Sequence, residues 1–550
     1  MFLAFPSRFH AIWLLLAAGF AAGALILSPA RVAVWIPERA AHLRTWLLEG
    51  IAMERYLFAA GCLLALVSYW LFRRLAAERR DTDATGRVAF SKLDLVVVAA
   101  IFLLAGILRA INMNQTLWWD ELATVVRVVK RGLGVILAFS AEGNNHPLNS
   151  LLVFFSTRVF GDREWSIRLF SVLLGTATPC ILYLLLLRHV SRLTALAGAL
   201  LFALHFRNVM HSAEARGYAA AMFFGAVSCL LFPLLFREMR TWVAAAYVLA
   251  TALSVYSIAT FIYVPAWHGL VAGLCVLYGW RQGRPAPALR VLLVTCWAML
   301  GSLLLIGLLL PQLVGYARSG AELAHDLMSI RLLQGILQYS AGVKDLTLAG
   351  FAAVASAAGW IFLARRSWLL LAAVLGPGLF HMLAFTLQGV RGSPRLFVAL
   401  ILPFMMGLAA CLAALWNHRT WGRALALVLV AGFLAGEWPL FRDFYLLGTA
   451  PLCDLAKRIP SEDLLLAGAQ SDMNTYYFPK AQWTTTDQTV DTLRQMRQLP
   501  KYVLTGVDCQ RGGLREVSQF GYEVKERLTD WTAYELFPWQ RQPCFVLYSR

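Results

Sequence analysis

The 550-residue chain is 59% apolar and only 15% charged, with a formal net charge of +18. A soluble chain carries about 25% charged residues, so the deficit calls for an apolar solvent. Uncharged runs near the roughly 20 residues that a helix needs to cross hydrocarbon recur along the chain, whereas the alternating strands of a membrane barrel, about 10 residues each, are absent. The charge is mostly arginine and falls between the apolar runs, as in cytoplasmic loops, which accounts for it without a nucleic-acid partner.

The first apolar run, Ala11 to Leu27, follows Arg8 and His10. It outlasts the core of a signal peptide, about 7–15 residues, and reads as an uncleaved helix. The length criterion gives about 13 spans, near 11–28, 55–76, 94–111, 165–188, 194–210, 217–236, 241–257, 259–280, 290–310, 345–364, 367–387, 395–416 and 421–439. With the N-terminus inside, every second loop is short and basic. These loops hold Arg73, Arg74, Arg79, Arg80 and Arg87; Arg188, His189 and Arg192; Arg237 and Arg240; Arg281, Arg284 and Arg290; Arg365 and Arg366; Arg419 and Arg423. This positive-inside pattern puts the N-terminus in the cytoplasm and the C-terminus outside. A span at His146–Gly161 would reverse the bias of every later loop, so that stretch is expected to lie in the interface. The amphipathic Glu121–Phe139 run reads likewise.

Three units follow: 1–93, two spans and a basic cytoplasmic loop; 94–440, the main bundle with a large first outer loop at 112–164; and 441–550, a small periplasmic α/β domain. In the last, strands are expected at Asp463–Ala467, Lys501–Val507, Tyr522–Leu528 and Cys544–Tyr548, and helices around Val490–Leu499 and Gly513–Phe520. It has no Gly-rich nucleotide motif. Six of the nine cysteines lie in apolar runs; Cys453, Cys509 and Cys544 lie in the tail, where one disulfide, Cys509–Cys544 included, is open.

Three polar segments fall on the outer face of this topology. Trp118-Trp119-Asp120-Glu121 opens the first outer loop. Its carboxylates suit a general base or a hard divalent cation, Mg or Mn; alternatively the tryptophans form an aromatic belt and Asp120 caps a helix. The second segment, Ser212 to Tyr218, sets Glu214 beside Arg216, whose guanidinium can hold a phosphate bidentately. In the third, Gln388 to Arg395, Arg391 and Arg395 break the positive-inside trend, as an anionic ligand or snorkelling would explain. Lys344 enters another span from the same side.

In this order Trp119-Asp120-Glu121, His146-Pro147, the stretch Phe160 to Arg168, the Ser-x-Glu-Ala-Arg-x-Tyr motif at 212–218 and Pro394-Arg395 resemble the GT-C superfamily of integral-membrane glycosyltransferases. The group most similar contains protein O-mannosyltransferases and the lipid A aminoarabinose transferase. Asn144-Asn145-His146-Pro147 stands where aminoarabinose transferases carry Glu-Lys-Pro, which argues against that activity. The resemblance implies a GT-C-like helical bundle and an inverting transfer from a polyprenyl-phosphate sugar to a lipid, glycan or protein at the periplasmic face of a bacterial inner membrane. Asp120, with Glu121 second, is expected as the catalytic base. Arg216, Arg395, Arg391 and Lys344 are expected to hold the donor phosphate, and His146, Glu214 and Tyr218 to bind substrate. Asp120 with Glu214 would be the ligands of any divalent cation. A transporter or flippase of lipid-linked glycans is the alternative; such proteins show repeats and mid-bilayer charges.

Overall fold

The computed structural model describes residues 7–29, 41–75, 90–140, 144–319, 329–389, 392–446, 452–467, 472, 476–485, 488–508, 515–529 and 543–550. Arg79, Arg80, Arg87, Arg391 and Cys509 lie outside the described residues, as do the side chains of Arg8, His10, Arg73, Arg74 and Cys544; the disulfide question therefore falls outside them too.

The helices in chain order are α1 (Ser7–Ile26), α2 (Ala41–Leu75), α3 (Lys92–Ala110), α4 (Trp119–Arg127), α5 (Leu133–Ala138), α6 (Pro147–Phe160), α7 (Glu164–Leu186), α8 (Arg192–Leu204), α9 (Phe206–Ser212), α10 (Tyr218–Arg237), α11 (Thr241–Ser257), α12 (Tyr263–Arg281), α13 (Ala286–Ile306), α14 (Leu310–Ser319), α15 (Ile330–Ala341), α16 (Leu346–Arg366), α17 (Trp368–Gln388), α18 (Ile401–Trp416), α19 (Thr420–Leu446), α20 (Leu452–Arg458) and α21 (Thr489–Gln495). Among the described residues ten helices are long and apolar enough to cross a membrane, or eleven if α8 and α9, bent by 59°, form one broken span. Most of α1 and all of α11 are shorter apolar helices. Each expected span falls on one of these helices, and the protein is a helical multi-pass membrane protein. At 14 residues, α6 extends about 21 Å, short of a roughly 30 Å hydrocarbon core.

Local sequence sets where the helices begin and end. Ser91 and Asp94 form a capping box at the start of α3, and Asp345 accepts the Leu348 N–H at the start of α16. α15 and α17 stop at Gly342 and Gly389, whose φ values of 75° and 62° suit glycine. Pro394 then opens a 3₁₀ turn, Pro394–Leu400, that runs into α18. α10 and α18 are the most deeply buried spans. Against α18, Gly359 of α16 meets the Gly407 carbonyl with no room for a Cβ, and Ser356 Oγ donates to the Phe404 carbonyl at 2.9 Å. Small residues and such bonds hold helices together where lipid removes the hydrophobic drive.

The bundle's two ends differ. At one, Arg192 pairs with Asp94 at 3.0 Å, Arg237 donates to the Arg188 carbonyl and Arg366 to that of His189. α7 begins at the opposite end, where its Arg168 meets the segment carrying Asp120 and Glu121.

α19 continues past Pro439 to Leu446, so the tail's polar domain begins later than composition suggests. Its sheet has the order β2-β1-β3-β5-β4, with β1 (Leu464–Ala467) parallel to β2 (Gln482–Thr484) and β3 (Tyr502–Asp508), and β5 (Pro543–Ser549) antiparallel to β3 and β4 (Glu523–Thr529). Side chains alternate across it. Leu465, Val503, Val546 and Tyr548 pack on one face with Val517 and Leu493. Leu464, Leu466, Leu504 and Leu547 pack on the other with Leu117, Leu122 and Val125 of the first outer loop. The expected strands correspond to β1, β3, β4 and β5. β2 is too short and too polar at Gln482 to show a pattern.

Candidate active site

α4 places Asp120 in its first turn. Asp120 Oδ2 lies 3.2 Å from Arg395 Nη1 and 3.4 Å from Arg216 Nη2. Asp120 and Arg395 are 28% and 27% exposed, whereas Arg216 is only 4% exposed. Arg216 is held from behind by Asn144: its Nη1 donates to the Asn144 side-chain oxygen and reaches the Asn144 and Asp120 carbonyls at 3.4 Å. Asn144 Nδ2 donates in turn to the Asp120 carbonyl at 3.2 Å. Two guanidiniums thus converge on one point beside a partly exposed carboxylate. A phosphate placed there would be gripped by both.

Glu121, adjacent in sequence, is fully buried. Its Oε2 accepts from the Trp118 N–H at 3.1 Å and from Arg168 Nη2 at 2.6 Å. Its Oε1 accepts from Arg168 Nε at 2.9 Å and the Ala215 N–H at 2.6 Å. Glu121 rather than Asp120 therefore closes the start of α4, the helix whose cap is Trp118. Arg168 also binds the carbonyls of Asn112, Met113, Gln115 and Thr116, so one buried ion pair fixes the whole approach to Asp120. Arg168→Met should destabilise the protein by about 3–5 kcal/mol, because Glu121 would be left charged and buried. Thermal unfolding in detergent measures this; an unchanged melting temperature would contradict it.

Glu214 and His146 flank Arg216. Glu214 Oε2 lies 3.4 Å from His211 Nδ1, and Oε1 has no hydrogen-bond partner among the described residues. Burial first, then the Glu121 charge, pushes the Glu214 carboxyl up to about 8 against the opposing pull of Arg216. It is mostly protonated at neutral pH and can donate as well as accept. His146 Nδ1 donates to the Ser257 carbonyl at 3.1 Å, which leaves Nε2, without a partner among the described residues, as an acceptor. Burial, then Arg216, holds this imidazole well below its ordinary value, so it stays neutral. Tyr218 stacks on His211 with ring centroids 4.2 Å apart, and His211 Nε2 bonds the Tyr339 hydroxyl.

The raised Glu214 value fixes a sign. The stability it contributes is fully present below the ordinary carboxyl value of 4.5 and is lost as pH rises through about 8. Wild-type melting temperature should therefore fall over that window, while Glu214→Gln, which mimics the protonated form, should hold it flatter. Parallel curves for the two proteins would show that Glu214 is already ionised when folded.

Asp120, Arg216, Arg395, Glu214, His146 and Tyr218 form one connected group. Glu121 is adjacent but enclosed. Lys344 is exposed in the turn after α15, whose Gly342 packs on Glu437 and His205 instead. Asn144, Arg168, His211 and Tyr339 join the site unexpectedly, although Asn144 adjoins His146-Pro147, Arg168 ends the stretch from Phe160 and His211 precedes the Ser212 motif. Tyr339 sits on α15, where no element was expected. A divalent cation held by Asp120 with Glu214 would have to displace the two guanidiniums from Asp120 Oδ2. Among the described residues no three His, Cys, Asp or Glu side chains group to hold one.

Residues 144–274 match the sequence model of the family described as dolichyl-phosphate-mannose-protein mannosyltransferase. That segment carries His146, Arg168, Glu214, Arg216 and Tyr218, but not Asp120 or Arg395. No curated protein matches the chain in sequence. Among solved structures the chain is similar to ArnT from Cupriavidus metallidurans bound to undecaprenyl phosphate, with a TM-score of 0.51 and 12% identity, over 84% of this chain and 98% of that one. It is similar also to the oligosaccharyltransferase AglB from Archaeoglobus fulgidus (TM-score 0.45, 11% identity, 76% of this chain and 70% of that one). A third is the arabinofuranosyltransferase AftD from Mycobacteria (TM-score 0.46, 16% identity, 84% of this chain and 42% of that one). The likeness to ArnT shows a shared fold.

Proposed function

We propose that this protein, which has the GT-C fold, is an inverting glycosyltransferase that takes a sugar from a polyprenyl-phosphate donor at the periplasmic face of a bacterial inner membrane. The observation that supports it most is the meeting of Asp120, Arg216 and Arg395, residues 96 and 275 positions from Asp120 in sequence, at one partly exposed carboxylate. The donor phosphate would lie between Arg216 and Arg395, drawing them from Asp120 Oδ2. Asp120, freed from that double pairing, would accept the proton of the acceptor hydroxyl. The hydroxyl oxygen then bonds to the anomeric carbon from the side opposite the phosphate, the anomeric C–O bond to phosphate breaks, and polyprenyl phosphate leaves with the electron pair. A positioned base contributes typically about 10²–10⁴-fold, and a charge-stabilising donor about 10²–10³-fold.

The neighbouring groups take binding roles. His146 Nε2 would accept a substrate hydroxyl, protonated Glu214 would donate to one, and Tyr218 would line the same wall. Glu121 would act through α4 as a positioning residue, since both its oxygens are occupied. Lys344, exposed after α15, would act on the donor only through its positive potential. With the basic ends of the bundle in the cytoplasm, the site and the sheet domain face outward. The acceptor is a lipid, glycan or protein hydroxyl. Mass spectrometry of lipid-linked and surface glycans from cells with and without the protein tests this reading. A glycosyl increment missing without it is expected; identical glycans would contradict it.

A further inference from the structure

The segment before Asp120 is gripped from two sides. Arg168 holds its carbonyls from within the bundle. From the sheet domain, the Tyr477 hydroxyl accepts the Leu117 N–H at 2.8 Å and donates to Glu164 Oε1 at 3.3 Å, at the start of α7. Leu117 is 1% exposed, so its N–H has no water to turn to if the hydroxyl is removed. Burial raises the Tyr477 pKa above its ordinary value, which keeps the hydroxyl protonated and able to play both parts. Two further contacts close the same clasp. The Cys453 N–H donates to Thr116 Oγ1 at 3.2 Å. At the far end of α4, Arg127 Nε binds both oxygens of Asp472, at 2.8 and 3.1 Å. The apolar sheet face under Leu117, Leu122 and Val125 completes the seat.

We propose that the C-terminal domain is part of the transfer machinery, with Tyr477 a positioning residue that holds Asp120 in place through the Leu117 N–H and α4. This rests on reading Asp120 as the base. Asp120 lies three residues beyond Leu117, and a misplacement of about 1 Å at a reacting group can cost on the order of 10²-fold in rate. Tyr477→Phe keeps the ring and removes only the bridge.

The test is a cycle of Tyr477→Phe, Asp120→Asn and the double variant in the full-length protein, purified in detergent. The donor is lipid extract from cells lacking the protein, and undecaprenyl phosphate is the binding probe. Tyr477→Phe should lower the saturating rate about 10-fold, with half-saturating extract and undecaprenyl phosphate affinity unchanged. In the Asp120→Asn background it should lower the rate no further, because both changes disable one function. Asp472→Asn, which loosens the other end of α4, should show the same split and serves if Tyr477→Phe does not fold. An unchanged saturating rate per folded molecule, or an equal fall in both backgrounds, would overturn the proposal. Full activity of Asp120→Asn alone would instead remove the base reading on which it rests.

Discussion

Asp120→Asn should lower turnover by at least about 10²-fold, the usual share of a positioned general base, with expression and melting temperature close to wild type. Asparagine keeps the shape and its carbonyl can still face the guanidiniums, so the loss falls on proton acceptance rather than on the frame. The frame is held separately: Glu121 and Arg168 are buried together and tie α4 to the segment from Asn112 to Thr116. Glu121→Gln therefore belongs to a different class, weakening stability together with rate. Turnover by Asp120→Asn equal to wild type at equal expression would move the base elsewhere.

Arg216→Ala and Arg395→Ala should each weaken binding of the phosphorylated lipid by on the order of 2–5 kcal/mol, the range for removing one partner of a desolvated charge pair. At 1.4 kcal/mol per tenfold, that is roughly 30-fold to several-thousand-fold in Kd. Arg216 should show the larger loss, being 4% exposed against 27% for Arg395, since solvent screens the more open charge. Lysine at either position keeps the charge but loses the fork, and should fall between wild type and alanine. Affinity for undecaprenyl phosphate against undecaprenol, on purified protein, reads this directly. Wild type that does not prefer the phosphorylated lipid, or alanine variants that keep the preference, would make these arginines interfacial anchors.

Much of this arrangement was legible because membranes impose strong patterns. Length and apolarity located the spans, and the alternation of basic loops put the Asp120, Arg216 and Arg395 segments on one face before any contact was known. The same alternation excludes a span at His146–Gly161, and the 14 residues of α6 are too few for one. Long-range partners left no such trace. Arg168 looks in sequence like one more arginine at a helix start, yet it binds Glu121, 47 residues away. Asp472 meets Arg127 across 345 residues. α14 and α15 fell between two strong spans, and with them Tyr339 went unseen. The docking of the sheet domain on α4 is a property of packed apolar faces, and an alternating strand pattern says only that some face is covered.

A transferase breaks the bond between sugar and polyprenyl phosphate, whereas a flippase moves the intact glycolipid. The direct measurement is reconstitution of the purified protein into sealed vesicles containing lipid extract from cells lacking it, with lipid analysis by mass spectrometry and accessibility of the glycolipid read in each leaflet. Free polyprenyl phosphate should accumulate with wild type and not with Asp120→Asn, in step with a new glycosylated acceptor. Intact glycolipid appearing in the opposite leaflet, with no polyprenyl phosphate released, would contradict it.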